Sequence, residues 1–199
     1  MSGAYLVDLD GVLVDSLGAA IRSWTWWASL HGLDPGPFIR AHGRPSREAI
    51  AELAPALDAD AEAALVEERE IGDTDVTALP GASAMLAAAR PVAIVTSGGR
   101  RLAEARLRAA GLQRPEVLVS ADSISRGKPD PEPYLYAAQR LDISPNRCTV
   151  FEDAPAGVTA GKAAGMCVVA LTTTVGAEEL AAADRIVRDL AEYLDGGVS

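Results

Sequence analysis

The chain has 199 residues, 49% of them hydrophobic and 23% charged, with a formal net charge of −10. That length holds one good core with room for a small satellite module, and the balance is that of a folded chain rather than a disordered one. The negative charge repels nucleic acid and anionic membranes, which excludes neither a phosphorylated metabolite nor any small ligand held by local dipoles and cations.

No apolar run approaches the roughly 18 residues of a membrane span. Residues 1–5, Met-Ser-Gly-Ala-Tyr, carry no basic leader. Cys148 and Cys167 each sit in an apolar, strand-like run and read as small buried hydrophobes in a reducing compartment. The expectation is a cytoplasmic monomer with no nucleic acid or membrane partner.

Ala4-Tyr5-Leu6-Val7 has strand character and ends in Asp8-Leu9-Asp10-Gly11. Strand period puts both carboxylates on one side of the ribbon, at the edge of the core. Two repelling carboxylates invite a neutralising cation, after which one can serve as nucleophile and the other as proton donor. Alone, the pair also fits a solvated strand end. Residues 17–72 then carry helical periodicity without strand signals: Ala20, Trp24, Trp27 and His31 share one face of a first helix. Further helices are predicted over 46–53 and 60–71, and 72–81 reads as a return linker. Trp24 and Trp27 are expected in the core of this module and Trp26 as an exposed pocket wall.

From residue 80 helix and strand alternate. Helices are predicted over 80–89, 100–110, 131–141, 155–165, 178–183 and 190–193, and strands over 91–96, 116–119, 148–151, 167–171 and 185–187. Alternation implies a parallel sheet covered by helices on both faces, a Rossmann-like α/β core. The helical module, 16–79, is inserted between 1–15 and 80–199 and should sit over the carboxyl ends of the strands, where such sheets bind ligands.

Three later strand ends are also polar. Thr96-Ser97-Gly98-Gly99 offers hydroxyls and successive N–H groups before a helix, either as an anion cradle or as a simple cap with Ser97. Lys128, held between Gly127 and Pro129, can aim its ammonium at an anion or simply be solvated. Glu152 and Asp153 close an apolar strand, as metal ligands or with Asp153 capping the next helix. Gly157, Gly161 and Gly165 recur on one helical face and imply close approach to another backbone. The stretch Gly157 to Ala163 is one residue short of a P-loop and lacks its hydroxyl, so nucleotide hydrolysis is rejected. Oxygen ligands with one phosphate suit Mg²⁺ rather than zinc.

Taken in order, these motifs closely resemble those of the haloacid dehalogenase superfamily, in its phosphatase branch with a small helical cap. Asp8 to Ser16 matches the first motif, Thr96-Ser97-Gly98 the second, Lys128 the third and Glu152-Asp153 the fourth. The resemblance implies that Asp8 attacks phosphorus to form an aspartyl-phosphate while Asp10 protonates the leaving alkoxide and then activates water. It implies Mg²⁺ on Asp8, the Asp10 carbonyl and Asp153, with Glu152 behind them, and Thr96, Ser97 and Lys128 on the phosphoryl group. Residues 42–48, beginning His42-Gly43-Arg44, match the cap's specificity loop, with Arg44 and Arg47 as expected substrate contacts. A β-phosphoglucomutase of this superfamily places a histidine ten residues after its second motif-one aspartate; Ala20 stands there, which favours hydrolysis over isomerisation. A non-catalytic binding protein would need no nucleophile, and dehalogenation would need no metal pair at Glu152-Asp153.

Overall fold

The computed structural model describes residues 3–41 and 44–196. Strand β1 (Ala4–Val7) leads through a short strand β2 (Val14–Asp15) into four helices, α1 (Leu17–His31), α2 (Gly36–Arg40), α3 (Ser46–Leu53) and α4 (Ala59–Ile71). Strand β3 (Thr77–Ala78) returns antiparallel to β2, so the two crossings between helical layer and sheet are hydrogen-bonded to each other. The chain continues through α5 (Ala82–Leu86), β4 (Val92–Val95), α6 (Arg100–Ala109), β5 (Val117–Val119), α7 (Glu132–Arg140), β6 (Cys148–Glu152), α8 (Pro155–Ala163), β7 (Cys167–Leu171), β8 (Arg185–Val187) and α9 (Leu190–Asp195).

The sheet has the order β5-β4-β1-β6-β7-β8 and every pairing is parallel. Both faces are buried, which is why its strands read as unbroken apolar runs. Tyr5 and Val7 join Met85, Leu107, Phe151 and Leu190 on one side, and Ala4 and Leu6 join Tyr134, Val150 and Val158 on the other. Strand β1 lies between β4 and β6, where successive connections diverge. The crevice at the end of β1 is therefore the switch point at which open α/β sheets bind ligands.

The helical layer has its own core of Trp24, Trp27, Phe38, Ile50 and Val66. Trp24 stacks on Phe38 with ring centres 5.4 Å apart, and Trp27 donates from Nε1 to Glu62 at 2.7 Å. Helix α4 lies along α6: Glu68 pairs with Arg101, Glu70 with Arg106, and a Cβ on Gly99 would meet the Glu67 carboxylate at 2.5 Å. This seats the layer over the carboxyl ends of the strands.

Several sequence expectations need correcting. Residues 178–183 form successive turns, with bonds from Glu179 N to Gly176 O and from Ala183 N to Leu180 O, anchored by the buried Leu180. The helix expected over 80–89 is confined to α5, and the short α2, which opens Gly-Pro, was not predicted. Cys148 is buried but Cys167, the first residue of β7, is exposed. The glycine face of α8 meets side chains, not backbone: Glu152 at Gly157, and Val168 and Val150 at Gly161. Gly165 has no atom within 4 Å of a built Cβ; its φ of +73° is the reason for glycine there. Among the described residues no helix is long and apolar enough to cross a membrane.

Candidate active site

Strand β1 delivers Asp8, which is buried, and the turn after it presents Asp10. Gly11 is required in that turn twice over. Its φ is +75°, and a Cβ would lie 2.0 Å from Asp153 Oδ2. The Lys128 ammonium donates to Asp8 Oδ1 at 2.7 Å and to the Val95 carbonyl at 3.1 Å, and pairs with Glu152 Oε1 at 2.6 Å. A buried lysine in this position is tied to strands β1, β4 and β6 at once.

Glu152 has its oxygens engaged from several directions. Tyr134 donates to Oε1 at 2.6 Å, and the N–H groups of Asp153 and Ala154 donate to Oε2 at 3.1 and 3.3 Å. Asp153 Oδ2 accepts from the Thr174 hydroxyl at 2.6 Å. Helix α8 is capped by Ala154 without a side-chain bond, so Asp153 faces the site instead of the helix end. Asp8, Glu152 and Asp153 bring one carboxylate oxygen each within 4.8 Å of one another.

The electrostatics follow from that crowding. Burial pushes the Asp8 carboxyl up to about 7, helped by Glu152 and Asp10 and opposed by Lys128. Asp153 is raised well above the carboxylate range by burial and then by Glu152 and Asp8. Burial pulls the Lys128 ammonium down, but Asp8 and Glu152 outweigh it and hold it above its ordinary value. Ionising all three carboxylates against one ammonium would leave two uncompensated negative charges in a buried, all-oxygen donor set. That chemistry fits a hard divalent cation.

Asp10 is held differently. Ser16, at the entry to the helical layer, donates to its Oδ1 at 2.6 Å, and Arg106 Nη1 lies 2.7 Å from its Oδ2. Arg106 Nη2 reaches Glu70 of α4 at 3.1 Å. Burial pushes the Glu70 carboxyl up to about 7, against the pull of Arg106. Glu70 and Arg106 are functional candidates that the sequence reading missed. The signal was present as charge on an apolar helical face: Arg106 falls four residues after Leu102, and Glu70 four after Val66.

A cavity between sheet and helical layer is lined by Asp8, Asp10, Ser97, Glu70, Arg106 and the ring of Trp24, among others. Ser97 and Gly98 reach it, whereas Thr96 is buried behind them with its hydroxyl accepting from Gly98 N at 3.1 Å. The first N–H of α6 is satisfied by Asp122 Oδ2 at 2.6 Å. Arg44 lines the cavity while pairing with Glu52 at 2.8 Å; Arg47 points to the surface and pairs with Asp60. Trp26 packs against the helical core under Arg69, so Trp24 is the pocket wall. His42 and Gly43 lie outside the described residues.

The chain matches the model of the haloacid dehalogenase-like hydrolases over residues 3–165, and it belongs to that family. Over 197 residues it is 43% identical to hexitol phosphatase A of Escherichia coli (strain K12), covering 94% of this chain and 91% of that one. It is 40% identical to validoxylamine A 7′-phosphate phosphatase of Streptomyces hygroscopicus subsp. limoneus, covering 94% and 93%. Among solved structures, a hydrolase from Pseudomonas syringae superposes with a TM-score of 0.87 at 26% identity, covering 98% of this chain and 97% of that one.

Proposed function

We propose that the chain is a Mg²⁺-dependent phosphomonoester hydrolase that cleaves a small sugar or polyol phosphate through an aspartyl-phosphate on Asp8. The observation that carries this reading is the division of labour between the two aspartates. Asp8 sits against Lys128 and the acidic cluster, while Asp10 is turned away from that cluster and held by Ser16 and Arg106. A nucleophile belongs in the first position and a proton carrier in the second.

Asp8, Asp153 and the Asp10 carbonyl would hold the metal. Glu152, its oxygens engaged by Lys128, Tyr134 and two backbone N–H groups, serves to fix Lys128 and the turn carrying Asp153. When bound, Mg²⁺ supplies charge neutralisation for the incoming phosphate dianion and its pentavalent transition state. Lys128 contributes further positive charge, and Ser97 with the N–H groups of the loop before α6 orients the phosphoryl oxygens; Thr96 shapes that loop from behind. Asp10 gives a proton to the departing alkoxide and takes one from the water that frees Asp8. Ala20 lines the cavity and brings no proton carrier of its own, which supports hydrolysis over isomerisation.

The reading divides the chain into a core of 1–15 and 80–199 and a cap of 16–79, hinged where β2 and β3 pair. Phosphate release from a panel of sugar and polyol phosphates tests it. Release is expected to need Mg²⁺, to stop on chelation, and to fall at least ~10³-fold in Asp8→Asn, the scale lost with an essential nucleophile. Turnover that survives either change overturns the mechanism.

A further inference from the structure

We propose that Glu70 and Arg106, one from each side of the cavity, form the subsite that reads uncharged hydroxyl groups on the leaving group. The proposal rests on the phosphatase reading and names the part of the substrate that the site selects.

Placement comes first. Arg106 touches Asp10 through Nη1 and Glu70 through Nη2, so Glu70 stands one guanidinium width beyond the proton donor. A leaving group whose oxygen meets Asp10 carries its next carbons towards that pair. Both side chains are only 7% exposed, and both line the cavity. The Nε of Arg106 is buried and has no hydrogen-bond partner among the described residues. A buried N–H left without an acceptor is unfavourable, so Asp10 and Glu70 do not by themselves satisfy the guanidinium.

A purely structural role explains this less well. A buried ion pair is weak evidence for stability, since apolar side chains of similar volume often serve as well. Neighbouring walls of this cavity are indeed apolar: Trp24, Phe38 and Leu102. Polar side chains set beside such apolar walls fix a ligand's orientation and give specificity.

Charge then selects the ligand class. Among the described lining residues each arginine is already paired, Arg106 with Asp10 and Glu70, and Arg44 with Glu52. A second phosphate or a carboxylate on the leaving group would meet those carboxylates with no unpaired arginine beside them, and is disfavoured. Neutral hydroxyls are not, because they can donate to Glu70 and accept from Arg106. The class is a polyol or sugar monophosphate, not a bisphosphate or a phosphorylated carboxylic acid.

The experiment compares kcat/KM for sorbitol 6-phosphate, n-hexyl phosphate and phosphoglycolate in the wild-type protein and in Glu70→Gln. Sorbitol 6-phosphate and n-hexyl phosphate share chain length and alkoxide leaving group and differ in hydroxyls. The wild type is expected to favour sorbitol 6-phosphate over each of the others by at least ~30-fold, within the range a hydroxyl-reading site reaches. In Glu70→Gln the sorbitol-to-hexyl ratio is expected to fall about tenfold, or about 1.4 kcal/mol, whatever loss the two substrates share. A structural role would lower both equally, so an unchanged ratio overturns the proposal. Should the variant not fold, the wild-type comparison still decides: equal turnover of hexyl and sorbitol phosphates, or preference for phosphoglycolate, overturns it. Wild-type protein that releases phosphate from none of the three, nor from an aryl phosphate, overturns the phosphatase reading itself.

Discussion

Replacing Gly157 with alanine would place a Cβ 1.8 Å from Glu152 Oε1 and 1.9 Å from its Cδ. Ordinary contact begins near 3.4 Å, so helix or carboxylate must move about 1.6 Å. A flexible glutamate would swing aside, but this one is pinned by Lys128 and Tyr134, both at 2.6 Å, and by two backbone N–H groups. Hydrogen bonds to a charged group contribute about 1.5–3 kcal/mol each. Losing two, less the roughly 1 kcal/mol by which alanine improves a helix over glycine, gives a destabilisation of about 3 kcal/mol. The same shift moves Lys128 relative to Asp8, and misplacement on the ångström scale lowers turnover by about 10²-fold. Urea unfolding and phosphate release measure the two effects. Gly165→Ala is the comparison: it meets no atom within 4 Å but must adopt a φ of +73°, which costs about 1–2 kcal/mol and should leave turnover alone. Gly157→Ala protein that is both as stable and as active as the wild type would show that Glu152 is not held as argued.

Lys128→Met removes the ammonium between Asp8 and Glu152. The carboxylates left behind should lower stability in chelator by about 3–5 kcal/mol, and Mg²⁺ should recover part of that loss in thermal unfolding; no change in stability would contradict the buried-charge account. Asp189 caps α9 by accepting from Glu192 N at 2.9 Å, so Asp189→Ala should cost about 1 kcal/mol at pH 7. That backbone bond, and then Arg188, hold the carboxyl below its usual range. A depressed value in the fold means the stabilisation is complete above the unfolded carboxylate value, near ~3.9, and fades as pH falls through the folded one. Urea titrations at pH 7 and pH 3 should therefore show the wild type and Asp189→Ala converging in acid, and a constant gap would refute the assignment.

Much of the α/β order was legible because both faces of the sheet are buried. Its strands are then uniform apolar runs, and the polar residues that end them mark the edge carrying the candidate site. Asp8 and Asp153 stood out in that way, each at an abrupt change from apolar to charged, and Lys128 by its place between Gly127 and Pro129. Elements stabilised by a few local bonds were harder to read. The two-residue strands β2 and β3 exist only because they meet each other, and 178–183 has helical composition but is shaped by the buried Leu180.

The cap contacts were read least well. Arg44 and Arg47 were singled out by position in a loop, yet Arg47 faces solvent, where Asp60 lies one helix away. Arg106 was hidden among Arg100, Arg101 and Arg108 of the same helix, and only packing against α4 distinguishes it. Glu70 was equally one acid among several on α4.

By itself, the sequence determined the sheet-and-helix alternation, the insertion after the first strand, and the chemical types gathered at the strand ends. These follow from local patterns of burial and charge. Only the tertiary structure decided which charges meet: Lys128 between Asp8 and Glu152, and Asp10 held by Ser16 and Arg106 with Glu70 beyond. Burial makes those meetings matter, because charges that water would screen at a surface are forced here to find partners from other elements of the fold.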